Sequence, residues 1–158
     1  MGEILARVDA LRRRAAARAL SQTFVFTNGC FDILHPGHVA LLRQARREGD
    51  YLMVGLNSDR SVRGLKGEGR PVQDEAARAA VLAAVTDVDG VVLFDEETPL
   101  ELIRDLVPDV LVKGGDYRPD QVVGREIVEC AHGRVVIVPL VPGQSSSQIA
   151  ARARAAKG

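Results

Sequence analysis

Cysteine is scarce in this chain: Cys30 and Cys130 are its two, far apart, outside any CxxC pair and away from suitably spaced histidines. That argues against a disulfide scaffold and against a structural zinc site. An excess of one charge is also lacking, because 21 basic residues stand against 21 acidic ones. No large positive field is available to attract nucleic acid, so any anion must be bound locally. Long apolar runs are missing too. The opening MGEILARVDALRRRAAARAL carries a charge every few positions, which excludes a signal peptide or a membrane span and makes the cytoplasm the expected compartment. There is no internal repeat and no low-complexity linker. A length of 158 residues suits a single domain that buries its core without staples.

What is present is an alternation of short apolar runs with helical patterns. Residues 1–22 are expected to form an N-terminal helix, because Ile4, Leu5, Val8 and Leu11 recur at helical spacing between arginines. That helix would pack on the domain or on a second subunit. Residues 23–158 are expected to form the main domain. Within it, strands are predicted at Thr23–Thr27, Tyr51–Leu56, Val91–Phe94, Val110–Val112 and Val135–Val138. Helices are predicted at Gly37–Glu48, Ala76–Ala84, Pro99–Leu106 and from Ser145 toward Ala156. Apolar strands separated by helices imply an α/β, Rossmann-like domain whose parallel five-stranded sheet is covered by helices on both faces. Such sheets bind ligands at the carboxyl ends of their strands, so functional residues should follow strands.

Four segments there suit phosphate. TNGCFDILHPGH places Asn28, Gly29, Cys30, Phe31, Asp32, His35, Gly37 and His38 where the first strand hands over to a helix. Glycine lets backbone approach a phosphate, and a helix start offers free N–H groups with the positive end of its dipole. Donating or protonated His35 and His38 would stabilise charge developing on phosphorus. From spacing alone, a pair of helix-capping histidines explains the motif equally well. A metal site is disfavoured, since only Asp32 is grouped with them. GLKGEGRPV is read as a mobile glycine-rich stretch whose Lys66 and Arg70 close over a triphosphate, although a solvated loop has the same composition. LVKGGDY sets Lys113, Gly114 and Asp116 after a strand, with Asp116 able to accept from a sugar hydroxyl. GQSSSQIAAR opens a helix on Ser145, Ser146 and Ser147, with Arg152 about two turns on. One serine is an ordinary cap; three make a phosphate cradle in this company.

With HPGH after the first strand and a serine-rich segment with arginine near the end, the chain resembles the cytidylyltransferase-like superfamily of nucleotidyltransferases. FTNGCFDILHPGH, VGLNSD, LKGEGRPV, VLVKGGDY and SSSQIAAR together are similar to the adenylyltransferases that form ADP-heptose for lipopolysaccharide, over roughly Phe24 to Arg152. That resemblance implies AMP transfer from ATP, carried with Mg²⁺, to heptose 1-phosphate in a single displacement that releases pyrophosphate. It further implies that His35, His38 and Lys66 are catalytic. Ser145, Ser146, Ser147 and Arg152 would hold the leaving pyrophosphate, and Asn28, Gly29 and Phe31 would flank the nucleotide. Asp32 would support the motif or help position the metal, while Lys113, Asp116 and Asn57 would surround nucleotide or sugar. Gln144 departs from the small or apolar residue often found before the serines, which weakens the exact substrate assignment. No kinase-sized segment lies within the 158 residues, so a stand-alone transferase is expected, and relatives commonly form homodimers. The competing readings are CMP transfer to glycerol 3-phosphate or another alcohol phosphate, and a non-catalytic nucleotide sensor. No nucleic acid or membrane partner is expected.

Overall fold

Alternating residues of each central strand are apolar and reach opposite faces, so both faces of the sheet must be covered. Val25 points to one side and Phe24 and Phe26 to the other; Leu52, Val54 and Leu56 oppose Met53, and Val110 and Val112 oppose Leu111. The structure, a computed structural model, describes residues 1–157. Its elements in chain order are β1 (Glu3–Leu5), α1 (Arg7–Ala19), β2 (Phe24–Gly29), α2 (Pro36–Arg46), β3 (Tyr51–Asn57), α3 (Asp59–Lys66) and α4 (Glu75–Ala83). They continue with β4 (Gly90–Phe94), α5 (Leu100–Leu106), β5 (Val110–Gly114), α6 (Arg125–Cys130), β6 (Arg134–Val138) and α7 (Ser146–Ala155). All strands pair in parallel in the order β1-β4-β3-β2-β5-β6. Leu42 and Ala45 of α2 with Ala79 and Leu82 of α4 bury one face; Ala10 and Ala17 of α1, Ile103 of α5 and Val128 of α6 bury the other.

The expected α/β architecture with helices on both faces is present, but the sheet has six strands rather than five. The extra one is β1, whose Glu3, Ile4 and Leu5 pair with Gly90, Val91 and Val92 of β4. The helical reading of Ile4 and Leu5 is therefore wrong, and its physical cause is tertiary: three residues form a strand when an open parallel edge supplies the partners. Of the predicted stripe, only Leu5 and Leu11 pack partly against the core. Ile4 and Val8 are more than half exposed, while Ala10, Arg14 and Ala17 face inward. Two helices, α3 and α6, were not anticipated; α3 begins at Ser58, whose hydroxyl accepts from the Ser61 amide.

A buried arginine fastens α1 to the core. Arg14 donates from Nε to the Leu106 carbonyl at 3.0 Å and from Nη2 to the Val107 carbonyl at 2.8 Å. Its two Nη atoms also clasp the Asp109 carboxylate, each at 2.8 Å. Asp109 in turn accepts from the Phe24 amide, so a single ion pair joins α1, the end of α5 and the starts of β2 and β5. Val107 sits at φ 44°, a left-handed turn whose carbonyl Arg14 satisfies. Replacing Arg14 by Met is expected to cost on the order of 2–4 kcal/mol in urea unfolding at unchanged m, because two buried carbonyls and a carboxylate lose their donor.

Candidate active site

The carboxyl ends of β2, β3 and β5 open onto two clefts that share a wall of Asn28, Gly29, Cys30 and Lys66. Strand order reverses here: the chain runs from β2 outward to β3 and β4, then returns to place β5 on the other flank of β2. A crevice is expected at that switch.

The first cleft, about 380 Å³, is lined by the histidine motif and by the loop and helix that follow β6. His35 caps α2: its Nδ1 accepts from the Gly37 amide at 3.1 Å. Accepting at Nδ1 assigns the proton to Nε2, which leaves that nitrogen as a donor. The His38 ring stacks on His35 with centroids 3.8 Å apart and leans on Phe31 at 5.0 Å. A Cβ on Gly37 would lie 2.9 Å from the His35 ring, so glycine is what permits this close turn. The capping reading of HPGH thus holds for His35, which also lines the cleft. Burial, with His35 and Lys66 adding like charge, holds the His38 pKa down to about 4, and burial also lowers that of His35. At neutral pH both imidazoles are therefore uncharged, which of the two expected forms favours the donating one over the protonated one.

Ser145, Ser146 and Ser147 reach the same cleft from α7. Ser145 is the ordinary cap, its hydroxyl facing the Gln148 amide at 3.4 Å, and Ser146 donates to the Ile33 carbonyl at 3.2 Å, tying α7 to the histidine loop. Leu41, Gly114, Val138, Leu140 and Val141 supply an apolar wall, and Gln144 stands at the rim. The second cleft, about 510 Å³, holds Asn57, Lys113, Glu97, Thr98, Tyr117 and Gln121. Asn57 is buried and donates to the Ser61 hydroxyl.

Four expected residues line neither cleft. Asp32 is buried and its carboxylate is fully engaged: it accepts from Arg70 Nε at 2.7 Å and from the Val72 and Gln73 amides at 2.8–2.9 Å. Burial would raise its pKa, but those amides and Arg70 outweigh it and hold the carboxyl below its usual range. This geometry is the support role expected of it. Arg70 is correspondingly pinned rather than free to close over a triphosphate. The supposed mobile stretch is partly ordered, as Gly64, Leu65 and Lys66 form the last turn of α3. Asp116 is exposed and lines neither cleft, and Arg152 reaches only the Gly143 carbonyl, at 3.4 Å. Among the described residues no three His, Cys, Asp or Glu side chains are grouped as metal ligands.

Sequence reasoning missed Arg78. Its guanidinium is 1% exposed and donates to the carbonyls of Cys30, Asn57 and Gln73 and to the Asp59 carboxylate, at 2.7–3.0 Å. It thereby joins the ends of β2 and β3 to the loop after Lys66. The available signal was an arginine four residues before Leu82, on the inward face of AARAAVLA.

A depressed imidazole pKa means that the unfolded chain binds more protons than the native one between about 4 and 6.5. Native stability is therefore expected to fall as pH drops through that window. Thermal unfolding at pH 7 and pH 5 checks it: wild type should lose a few degrees more in Tm than His38→Asn.

Residues 26–152 match the family model described as Cytidylyltransferase-like. The chain is 56% identical over 153 residues to the bifunctional protein HldE of Azorhizobium caulinodans, covering 97% of this chain and 32% of that protein. It is 63% identical over 132 residues to the bifunctional protein HldE of Rhodopseudomonas palustris (strain BisB18), covering 84% and 27%. It thus spans about a third of the length of the curated relatives it matches. Among solved structures, the lipopolysaccharide core biosynthesis protein from Thermoplasma volcanium aligns with a TM-score of 0.61 at 27% identity, over 76% of this chain and 97% of that one. The pantoate-beta-alanine ligase from Francisella tularensis aligns at 0.61 with 15% identity, over 93% and 69%, and shares the fold alone. The chain belongs to the cytidylyltransferase-like family of nucleotidyltransferases.

Proposed function

We propose that this chain transfers AMP from ATP to D-glycero-β-D-manno-heptose 1-phosphate, giving ADP-heptose and pyrophosphate. The observation that carries the reading is the meeting of two clefts at Lys66, one of them lined by stacked imidazoles and a serine-opened helix. Similarity to the HldE proteins and to a lipopolysaccharide core biosynthesis protein supports the sugar. In this reading an oxygen of the sugar phosphate attacks the α-phosphorus of ATP. The bond from that phosphorus to the bridging oxygen breaks, and pyrophosphate leaves with the electron pair. No covalent enzyme intermediate is needed.

The triphosphate lies in the first cleft. His35 and His38 donate to its oxygens and favour the pentacoordinate transition state, in which charge on those oxygens peaks. Ser145, Ser146 and Ser147, with the N–H groups opening α7, hold the departing phosphates. Asn28, Gly29, Cys30 and Phe31 flank the nucleotide, and Leu41, Val138 and Leu140 offer the base an apolar wall. Lys66, where the clefts join, bridges attacking and transferred phosphates. Arg152, which reaches the Gly143 carbonyl just before the serines, closes on pyrophosphate once it is present. Asp32 and Arg70 brace the loop that presents Lys66. Mg²⁺ would be carried on the triphosphate, where it would neutralise charge, while Asp32 serves the loop through its bonds to Arg70 and to the Val72 and Gln73 amides.

Pyrophosphate release measured over a panel of triphosphates crossed with acceptor phosphates is expected to be fastest with MgATP and heptose 1-phosphate. Release with CTP and glycerol 3-phosphate alone, or with no pair, would overturn the assignment. His38→Ala is expected to lower turnover by about two orders of magnitude or more while remaining folded.

We also propose a cytoplasmic homodimer. Ile4 and Val8, exposed beside the open edge of β1, supply apolar surface suited to a second copy. Sedimentation equilibrium is expected to give a dimer that Val8→Glu weakens.

A further inference from the structure

We propose that the second cleft is the acceptor subsite of this chain, and that Glu97, Thr98 and Gln121 select a polyhydroxylated sugar whose phosphate is received by Lys113. The inference rests on the function proposed above and names the residues that choose its acceptor.

The two clefts share Asn28, Gly29, Cys30 and Lys66, so ligands occupying both meet at that wall. The histidine pair and the serines line only the first. The second has a different chemistry. Lys113 is half-buried there, 5.0 Å from the centre of the Tyr117 ring, and among the described residues no carboxylate lies within 4.0 Å of its ammonium. A half-buried cation without an anion is a costly arrangement that a phosphate would complete. Burial lowers its pKa.

The rim supplies hydroxyl-matching groups that are wholly or partly uncommitted among the described residues. Neighbouring Glu96 is committed to Arg7 at 2.8 Å, whereas Glu97 and Thr98 are exposed and make no side-chain hydrogen bond or ion pair among the described residues. Gln121 accepts from the Arg118 amide through Oε1, which leaves its NH₂ group free to donate. A carboxylate that only accepts, an amide nitrogen that only donates and a hydroxyl that does both form a mixed set suited to several neighbouring sugar hydroxyls. Tyr117 and Val122 provide an apolar surface for a ring. A three-carbon alcohol phosphate bound at Lys113 would reach fewer of these groups and forgo their hydrogen bonds; because Glu97 and Thr98 are exposed and stay hydrated, the preference this confers is modest.

The test is steady-state kinetics of the full chain with MgATP and heptose 1-phosphate for Glu97→Gln and Gln121→Ala, with ATP affinity read separately by calorimetry. Each variant is expected to raise the acceptor KM about tenfold and to narrow the preference over glycerol 3-phosphate. ATP affinity should stay within about twofold of wild type. Lys113→Met should raise the acceptor KM further while leaving ATP affinity unchanged. An unchanged acceptor KM in variants of an active enzyme overturns the subsite alone, as does a loss of ATP affinity, which would assign the cleft to the nucleotide. A wild type that turns over no sugar 1-phosphate overturns the proposed function and this inference with it.

Discussion

Strand order reverses at β2, and the candidate site follows from that reversal. Chain leaving β2 crosses to β3 on one side, while β5 arrives on the other, so no connection covers the carboxyl end of β2. The residues that follow the strand, Cys30 through His38, must turn in an open crevice between diverging connections. Both clefts form there, and both use Asn28 and Gly29, the last two residues of the strand.

An open crevice leaves backbone carbonyls at strand ends without ladder partners, and buried carbonyls need donors. Arg78 answers this at the ends of β2 and β3, and Asp32 provides the acceptor for the amides of the loop beyond Lys66. The two side chains work as a matched pair of opposite charge: Arg78 collects carbonyls and Asp32 collects amides, and each also carries an ion pair. Together they brace the floor under the clefts while Lys66, Lys113, Glu97 and the histidine rings remain available above it. The polar interior at this end is thus structural, and the groups proposed to meet ligand are those it leaves uncommitted.

The same division explains why the histidine motif reads two ways. His35 at the start of α2 must satisfy the Gly37 amide, and by accepting at Nδ1 it turns its Nε2–H outward. Capping is therefore what orients the donor. Stacking at 3.8 Å adds that the two rings cannot easily carry charge together, in keeping with the depressed His38 pKa.

Apolar alternation in the strands, helical spacing in HVALLRQA and AARAAVLA, and the glycines and serines after strands are local patterns, and they were enough to place five strands, the parallel α/β class and most of the first cleft. Residues whose role depends on a partner distant in sequence were not legible in this way. Glu3–Leu5 becomes a strand because β4 has a free edge, and Arg78 turns inward because two strand ends need a donor. Arg70 is immobile because Asp32, 38 residues earlier, holds it, and Glu97, Tyr117 and Gln121 share a cleft because β4 and β5 flank the same crevice. Sequence alone singled out the segments whose residues suit phosphate, since that suitability depends on local residue chemistry. Only the tertiary structure decided which charges are free and which are spent, since that depends on what each side chain meets across the fold.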